Sequence, residues 1–273
     1  MTETALDQHF DRSRPRYTGR LVAPRAYQVD SPPGRFIADP GRFQLFAGGF
    51  SPWSHRCALV VALAGLTDVV RVSDVETEDG RRRLRRAHRE SSLDASEFPS
   101  VPALWDGETR MVVSNDHTTI EVDLATELRD WSTTGLELYP VDLRDEIDVL
   151  DRWIGPAVNQ GVYQAIGGGA QARRARTVLH DAFARLDRRL AGSRYLLGDR
   201  LTLADVRLWV TLVRYDAPAS GVRRIGDRLS PYSSLWAYAQ NLYQQEPFQR
   251  TTRPETFSSG RARVDVLKVV PPG

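Results

Sequence analysis

The sequence predicts an α/β domain followed by an all-helical domain, and three observations carry that prediction. The stretch Phe43 to Leu66 reads as a short apolar strand, a glycine break and a helix. Short apolar runs at 69–75, 101–105 and 111–113, separated by turn residues, read as further strands. From Asp142 onward apolar residues recur only at helical spacing. On this reading residues 1–40 are an N-terminal arm, 41–130 the α/β domain, 141–250 the helical domain and 251–273 a tail.

The arm is polar and broken by Pro15, Pro24, Pro32, Pro33 and Pro40, which predicts an extended segment with little regular structure. Phe43, Leu45 and Phe46 make the first strand, and Gly48-Gly49 ends it. Pro52, just after Ser51, sits where a helix tolerates proline best, at its first turn. Cys57, Val60, Val61, Ala64 and Leu66 recur at near-helical spacing and Gly65 closes the helix. Ser51 therefore stands at a helix N-terminus, where free N–H groups and the helix dipole favour an anion such as a thiolate. His55 and Arg56 read as helix-surface or structural residues rather than general bases.

Residues Val69 to Val75 alternate as a second strand. The arginine-rich run from Glu78 to Arg89 is a solvated helix face or loop, or else a cationic wall that attracts carboxylates or phosphates. Val101 to Trp105 forms a strand entered through Pro102, turns at Asp106-Gly107, and returns antiparallel through Met111 to Val113. Ser114, Asn115 and Asp116 then offer short oxygen-bearing side chains before a helix from Thr118 to Leu128, with Asp116 a candidate N-cap.

In the helical half, Ile147, Leu150, Ile154 and Val158 share one face. Gly167-Gly168-Gly169 breaks the pattern, which resumes with Val178, Phe183, Leu186 and Leu190. Thr202 and Asp205 form a capping box at the start of a helix through Leu208, Trp209, Leu212 and Val213. A last helix includes Leu235, Trp236, Tyr238, Leu242 and Tyr243.

Composition narrows the function. With 37 basic and 35 acidic residues the net charge is only +2, too balanced for a dedicated nucleic-acid binder. No apolar run approaches the ~20 residues that span a bilayer, and the N-terminus has no secretory pattern. A single cysteine, Cys57, excludes an intramolecular disulfide framework, so a cytoplasmic location is the expectation. No metal is expected. Lys268 is the only lysine among many arginines, as in a GC-rich genome.

The run Ser-Pro-Trp-Ser-His-Arg at 51–56 resembles the Cys-Pro-Trp-Ala-His-Arg motif of the glutathionyl-hydroquinone reductases, within the glutathione S-transferase superfamily. Val-Pro-Ala-Leu-Trp at 101–105, Ser-Asn-Asp-His at 114–117 and Asn-Gln-Gly-Val-Tyr at 159–163 resemble further family segments, and the capping-box helix resembles the folding signature of the helical domain. The resemblance implies a thioredoxin-like N-terminal domain, a glutathione transferase fold and a homodimer. It implies that Phe50, Pro52, Trp53, Val101, a cis Pro102, Asp116 and His117 bind the thiol cosubstrate, and that Tyr163 and Tyr243 face the substrate. Asp116 stands for the family's Glu and His117 for its Ser.

Ser51 stands where the family has its reactive cysteine. A serine cannot form the mixed disulfide through which such a cysteine acts, but it can donate a hydrogen bond to a bound thiolate and lower its pKa. Three readings stay open. In the first, Ser51 stabilises glutathione, or another small thiol such as mycothiol, for attack on a small electrophile in a transferase or isomerase. In the second, the chain is a non-catalytic ligand-binding or interaction module. In the third, it is a reductase working through Cys57, which lies about 9 Å along the helix from Ser51.

Overall fold

The computed structural model describes residues 15–27, 32–91, 99–217, 225 and 228–257. The reading of residues 1–14 as part of the arm and of 258–273 as tail lies outside these. The chain divides into two compact units, Met1–Leu136 and Glu137–Gly273.

The arm is more regular than its prolines suggest. Its described residues form two three-residue strands, β1 (Arg20–Val22) and β2 (Arg35–Ile37), paired in parallel. The main sheet follows with β3 (Phe43–Ala47), α1 (Pro52–Leu63), β4 (Arg71–Asp74), α2 (Glu78–Ser91), β5 (Ala103–Asp106), β6 (Met111–Ser114) and α3 (His117–Thr126). Strand order is β4-β3-β5-β6, with β3 parallel to β4 and antiparallel to β5, and β5 antiparallel to β6. This is the mixed sheet of a thioredoxin-like domain. The strands are shorter than the apolar runs at 69–75 and 101–105, and the predicted helix at 118–128 starts one residue earlier and stops two sooner.

Pleating sends alternate side chains to opposite faces of the sheet. Phe46, Ala103 and Val112 pack with Leu84 and Ala87 of α2 on one face, while α1 and α3 pack on each other beside β3. The start of α2 lies so close to β4 that a Cβ at Gly80 would stand 1.8 Å from the Asp74 carbonyl oxygen. The basic run is indeed helical. It buries Gly80, Leu84, Ala87 and His88 and exposes its arginines other than Arg81.

What orders the arm comes from about a hundred residues away. The Asp123 carboxylate, on α3, accepts from the Arg20 guanidinium and the Leu21 N–H, and Glu127 accepts from the Ala23 N–H. Asn115, which could have capped α3, instead takes the N–H groups of Arg16 and Tyr17 on its side-chain oxygen.

The second unit is helical: α4 (Arg144–Ile154), a π-helical turn over Gly155–Asn159, α5 (Gly161–Ala165), α6 (Gly169–Leu190), α7 (Leu203–Tyr215), α8 (Ser233–Tyr243) and α9 (Glu246–Thr251). Every residue of α7 is buried. The Asp205 carboxylate at its start accepts from Leu196 N–H at 2.9 Å, Thr202 N–H at 2.8 Å, Thr202 Oγ at 3.1 Å and the Tyr238 hydroxyl at 2.9 Å. The predicted capping box thus ties a loop, α7 and α8 together. Among the described residues no helix is long and apolar enough to cross a membrane.

Candidate functional site

The candidate site is built where β3 hands the chain to α1. Ser51 caps that helix: its backbone is extended, and its Oγ accepts from the Ser54 N–H at 3.3 Å. Because that bond uses the hydroxyl as acceptor, its proton remains available for donation. Trp53 is the second residue of the helix, so its N–H has no intrahelical acceptor and points with the helix dipole. Ser51 is only 1% exposed, so these donors act in a poorly solvated setting where each is worth more than in water.

The approach to Ser51 is shaped by Gly48 and Phe50. A Cβ at Gly48 would stand 2.4 Å from the Phe50 ring, so glycine is what lets that ring fold back over the loop. The Phe50 ring stays largely exposed, while its N–H is held by Glu76 Oε1 at 3.0 Å. Glu76 was missed in the sequence. It sits just past β4 with its own N–H on Asp74 Oδ1, and nothing in its local pattern signals a partner 26 positions away.

Beyond the helix start, Trp53 lies between two cationic or polarisable groups. The Arg56 guanidinium sits 4.7 Å from its ring centroid and the His117 ring 4.5 Å away, tilted. His55 and Arg56 are both 3% exposed, so of the surface and structural readings the structural one holds. Cys57 is fully buried, its Sγ 3.7 Å from the His117 carbonyl oxygen. Burial, and then the charge of Glu121, push its thiol well above the ordinary range.

Asp116 caps α3: one carboxylate oxygen accepts from Thr118 N–H at 3.0 Å and the other from Thr119 Oγ at 2.8 Å. Each oxygen keeps a lone pair for a ligand ammonium. The Val101–Pro102 bond is cis, with Pro102 buried and Val101 packed against the α2-side core. The structure thus brings Trp53 and Cys57 of α1 together with His117 at the start of α3. Tyr163, largely exposed on α5, and Tyr243, at the end of α8 and stacked on Trp209 at 6.1 Å, belong to the second unit. Burial raises the Tyr243 phenol above its ordinary pKa. A hydroxyl donor, an N–H with no intrahelical acceptor and a helix N-terminus form a donor set that fits a thiolate, and a carboxylate at the start of α3 fits an amino group.

A β4-β3-β5-β6 sheet entered by a cis proline, a capped α1 and an all-helical second unit together make the glutathione transferase fold. The glutathione S-transferase N-terminal domain model matches residues 50–127 and the C-terminal domain model residues 169–241. The chain belongs to the glutathione S-transferase family. It is similar to the glutathionyl-hydroquinone reductase YqjG of Escherichia coli (strain K12), 30% identical over 241 residues that span 80% of this chain and 74% of the reductase. The glutathione-bound structure of YqjG matches it with a TM-score of 0.78 at 29% identity, covering 88% of this chain and 86% of that one. A Xi class transferase from Natrialba magadii matches with a TM-score of 0.78 at 27% identity, covering 88% and 79%.

Proposed function

We propose that the chain holds a small thiol, glutathione or an analogue such as mycothiol, as its thiolate at Ser51 for attack on a small electrophile, in a transferase or isomerase. One observation carries this: the Ser51 hydroxyl accepts from Ser54 N–H and so has its own proton to donate, at the positive end of a twelve-residue helix. When bound, the thiol supplies the nucleophilic sulfur. Ser51 and the Trp53 N–H lower its pKa. Phe50, Pro52, Val101 and Pro102 position its backbone, and Asp116 with His117 receives its amino end. Tyr163 and Tyr243 face the electrophile in this reading, and the protein works as a cytoplasmic homodimer. The glutathione-bound structure of the relative YqjG supports the thiol class.

Cys57 is a poor substitute for a reactive cysteine. It is buried, its thiol is disfavoured as thiolate, and it faces a backbone carbonyl. The reductase relative nevertheless supports a second reading, in which the thiolate held at Ser51 displaces a hydroquinone from its thioether. That exchange balances as thiolate plus conjugate plus a proton giving disulfide plus free hydroquinone.

The test is an ultraviolet titration of glutathione, and separately of mycothiol, bound to wild type and Ser51→Ala. A thiol pKa lowered in wild type and restored in the variant supports the proposal. Binding without a pKa difference assigns Ser51 to helix capping alone, and binding of neither thiol favours a non-catalytic module. Offering the glutathionyl conjugate of a hydroquinone then separates the two enzyme readings by whether disulfide appears.

A further inference from the structure

On the α2 face of the sheet lies a cleft of about 620 Å³ lined by five arginines and only two carboxylates. Phe46, Ala87 and Trp105 give it an apolar side. None of the residues assigned to the thiol site lines it. The Trp105 indole N–H is buried and has no hydrogen-bond partner among the described residues.

The arginines are arranged rather than scattered. Glu90 on α2 accepts from Arg86 at 2.7 Å and also from Arg110, so one carboxylate holds two guanidinium groups side by side while both stay more than half exposed. Arg110 reaches it from the turn between β5 and β6 with a φ of 57°, the only non-glycine residue at positive φ among those described. Glycine would fit that backbone with less strain, yet the position carries the guanidinium. Arg89 adds a further exposed charge. A solvated helix face needs neither the apolar wall nor the costly arginine.

We propose that this cleft binds an aromatic carboxylate or phosphate, its ring against Trp105 and its anion among Arg86, Arg89 and Arg110. Planar guanidinium groups match both anions, and a ring over an indole adds stacking. The site stands independently of the thiol chemistry, since no residue assigned to the thiol site lines the cleft.

Isothermal titration of the full-length chain with 2-naphthoate, 2-naphthyl phosphate and neutral 2-naphthol tests this. Either anion should bind, the naphthol at least about tenfold more weakly, and Arg110→Gly and Arg89→Gln should each weaken the anion by roughly five- to tenfold. Arg110→Gly suits the local backbone and so should fold. Binding in Ser51→Ala should equal wild type. The carboxylate and phosphate arms say which anion is preferred. Failure of both anions to bind, naphthol binding as tightly, indifference to both arginine changes, or loss of binding in Ser51→Ala would each overturn the proposal.

Discussion

Acidification should weaken the first unit through one residue, His88. It lies on α2, 4% exposed, edge-on to the Tyr17 ring at 5.5 Å, with neither ring nitrogen hydrogen-bonded among the described residues. Burial is the main cause that lowers its pKa from 6.5 to about 4. The charge of Arg16 adds to this, and the nearby Ser100 backbone opposes it only in part. The folded state therefore releases the proton that the unfolded chain still binds. The resulting stability is complete above pH 6.5 and drains away as the pH falls toward 4. At 1.36 kcal/mol per pH unit that gap is worth about 3 kcal/mol, a large share of the ~5–15 kcal/mol that holds a domain folded. His88→Phe keeps an edge-on ring and removes the titration. Urea unfolding of both proteins at pH 7.5 and pH 4, followed by amide exchange of β3 and β5, isolates the effect because all other groups titrate alike in the two. Wild type should lose about 3 kcal/mol more than the variant. Pale differences, with the two pH dependences parallel within roughly 0.5 kcal/mol, would refute the account of a neutral buried imidazole.

Other perturbations follow from the same geometry. Asp205→Ala removes the acceptor of four hydrogen bonds and strands buried donors on three elements, so it should cost at least about 3 kcal/mol in denaturant midpoint analysis, against about 1 for an exposed cap. Gly80→Ala drives a Cβ into the backbone at Asp74, and the thermal midpoint should fall by several degrees, with a cost of about 1–3 kcal/mol. Cys57 should resist iodoacetamide in the native protein at pH 8 and react only after unfolding; fast native alkylation would revive it as a nucleophile. Ser51→Cys should form a mixed disulfide with oxidised glutathione, detectable by intact mass, which wild type cannot form at that position.

The parts legible in sequence were those set by neighbours in the chain. Gly48, Gly49 and Pro52 announced the end of β3 and the start of α1, and Thr202 with Asp205 announced α7, because turn and cap chemistry acts over three or four residues. His55 and Arg56 stayed undecided between surface and interior because α1 is buried nearly all round, ten of its twelve residues, so no polar stripe marks its surface. The strands of the arm were invisible for another reason. Three residues carry no periodicity, and the carboxylates that order them, Asp123 and Glu127, stand a hundred positions downstream. Trp53 beside His117 is likewise a product of how α1 meets α3, not of spacing.

The arm also decides how the sheet ends. Thr18 bridges to Ser114 and the Gly19 N–H donates to the Val113 carbonyl at 2.8 Å, so the outer rim of β6 is already paired within the chain. A Cβ at Gly19 would stand 2.6 Å from that carbonyl, and only glycine lets the strap lie flush. Trimming the protein at residue 20, as its proline-rich start invites, would uncover a row of unpaired peptide groups on a β-strand. Such a rim templates pairing with other chains, so the shortened protein should self-associate through β6.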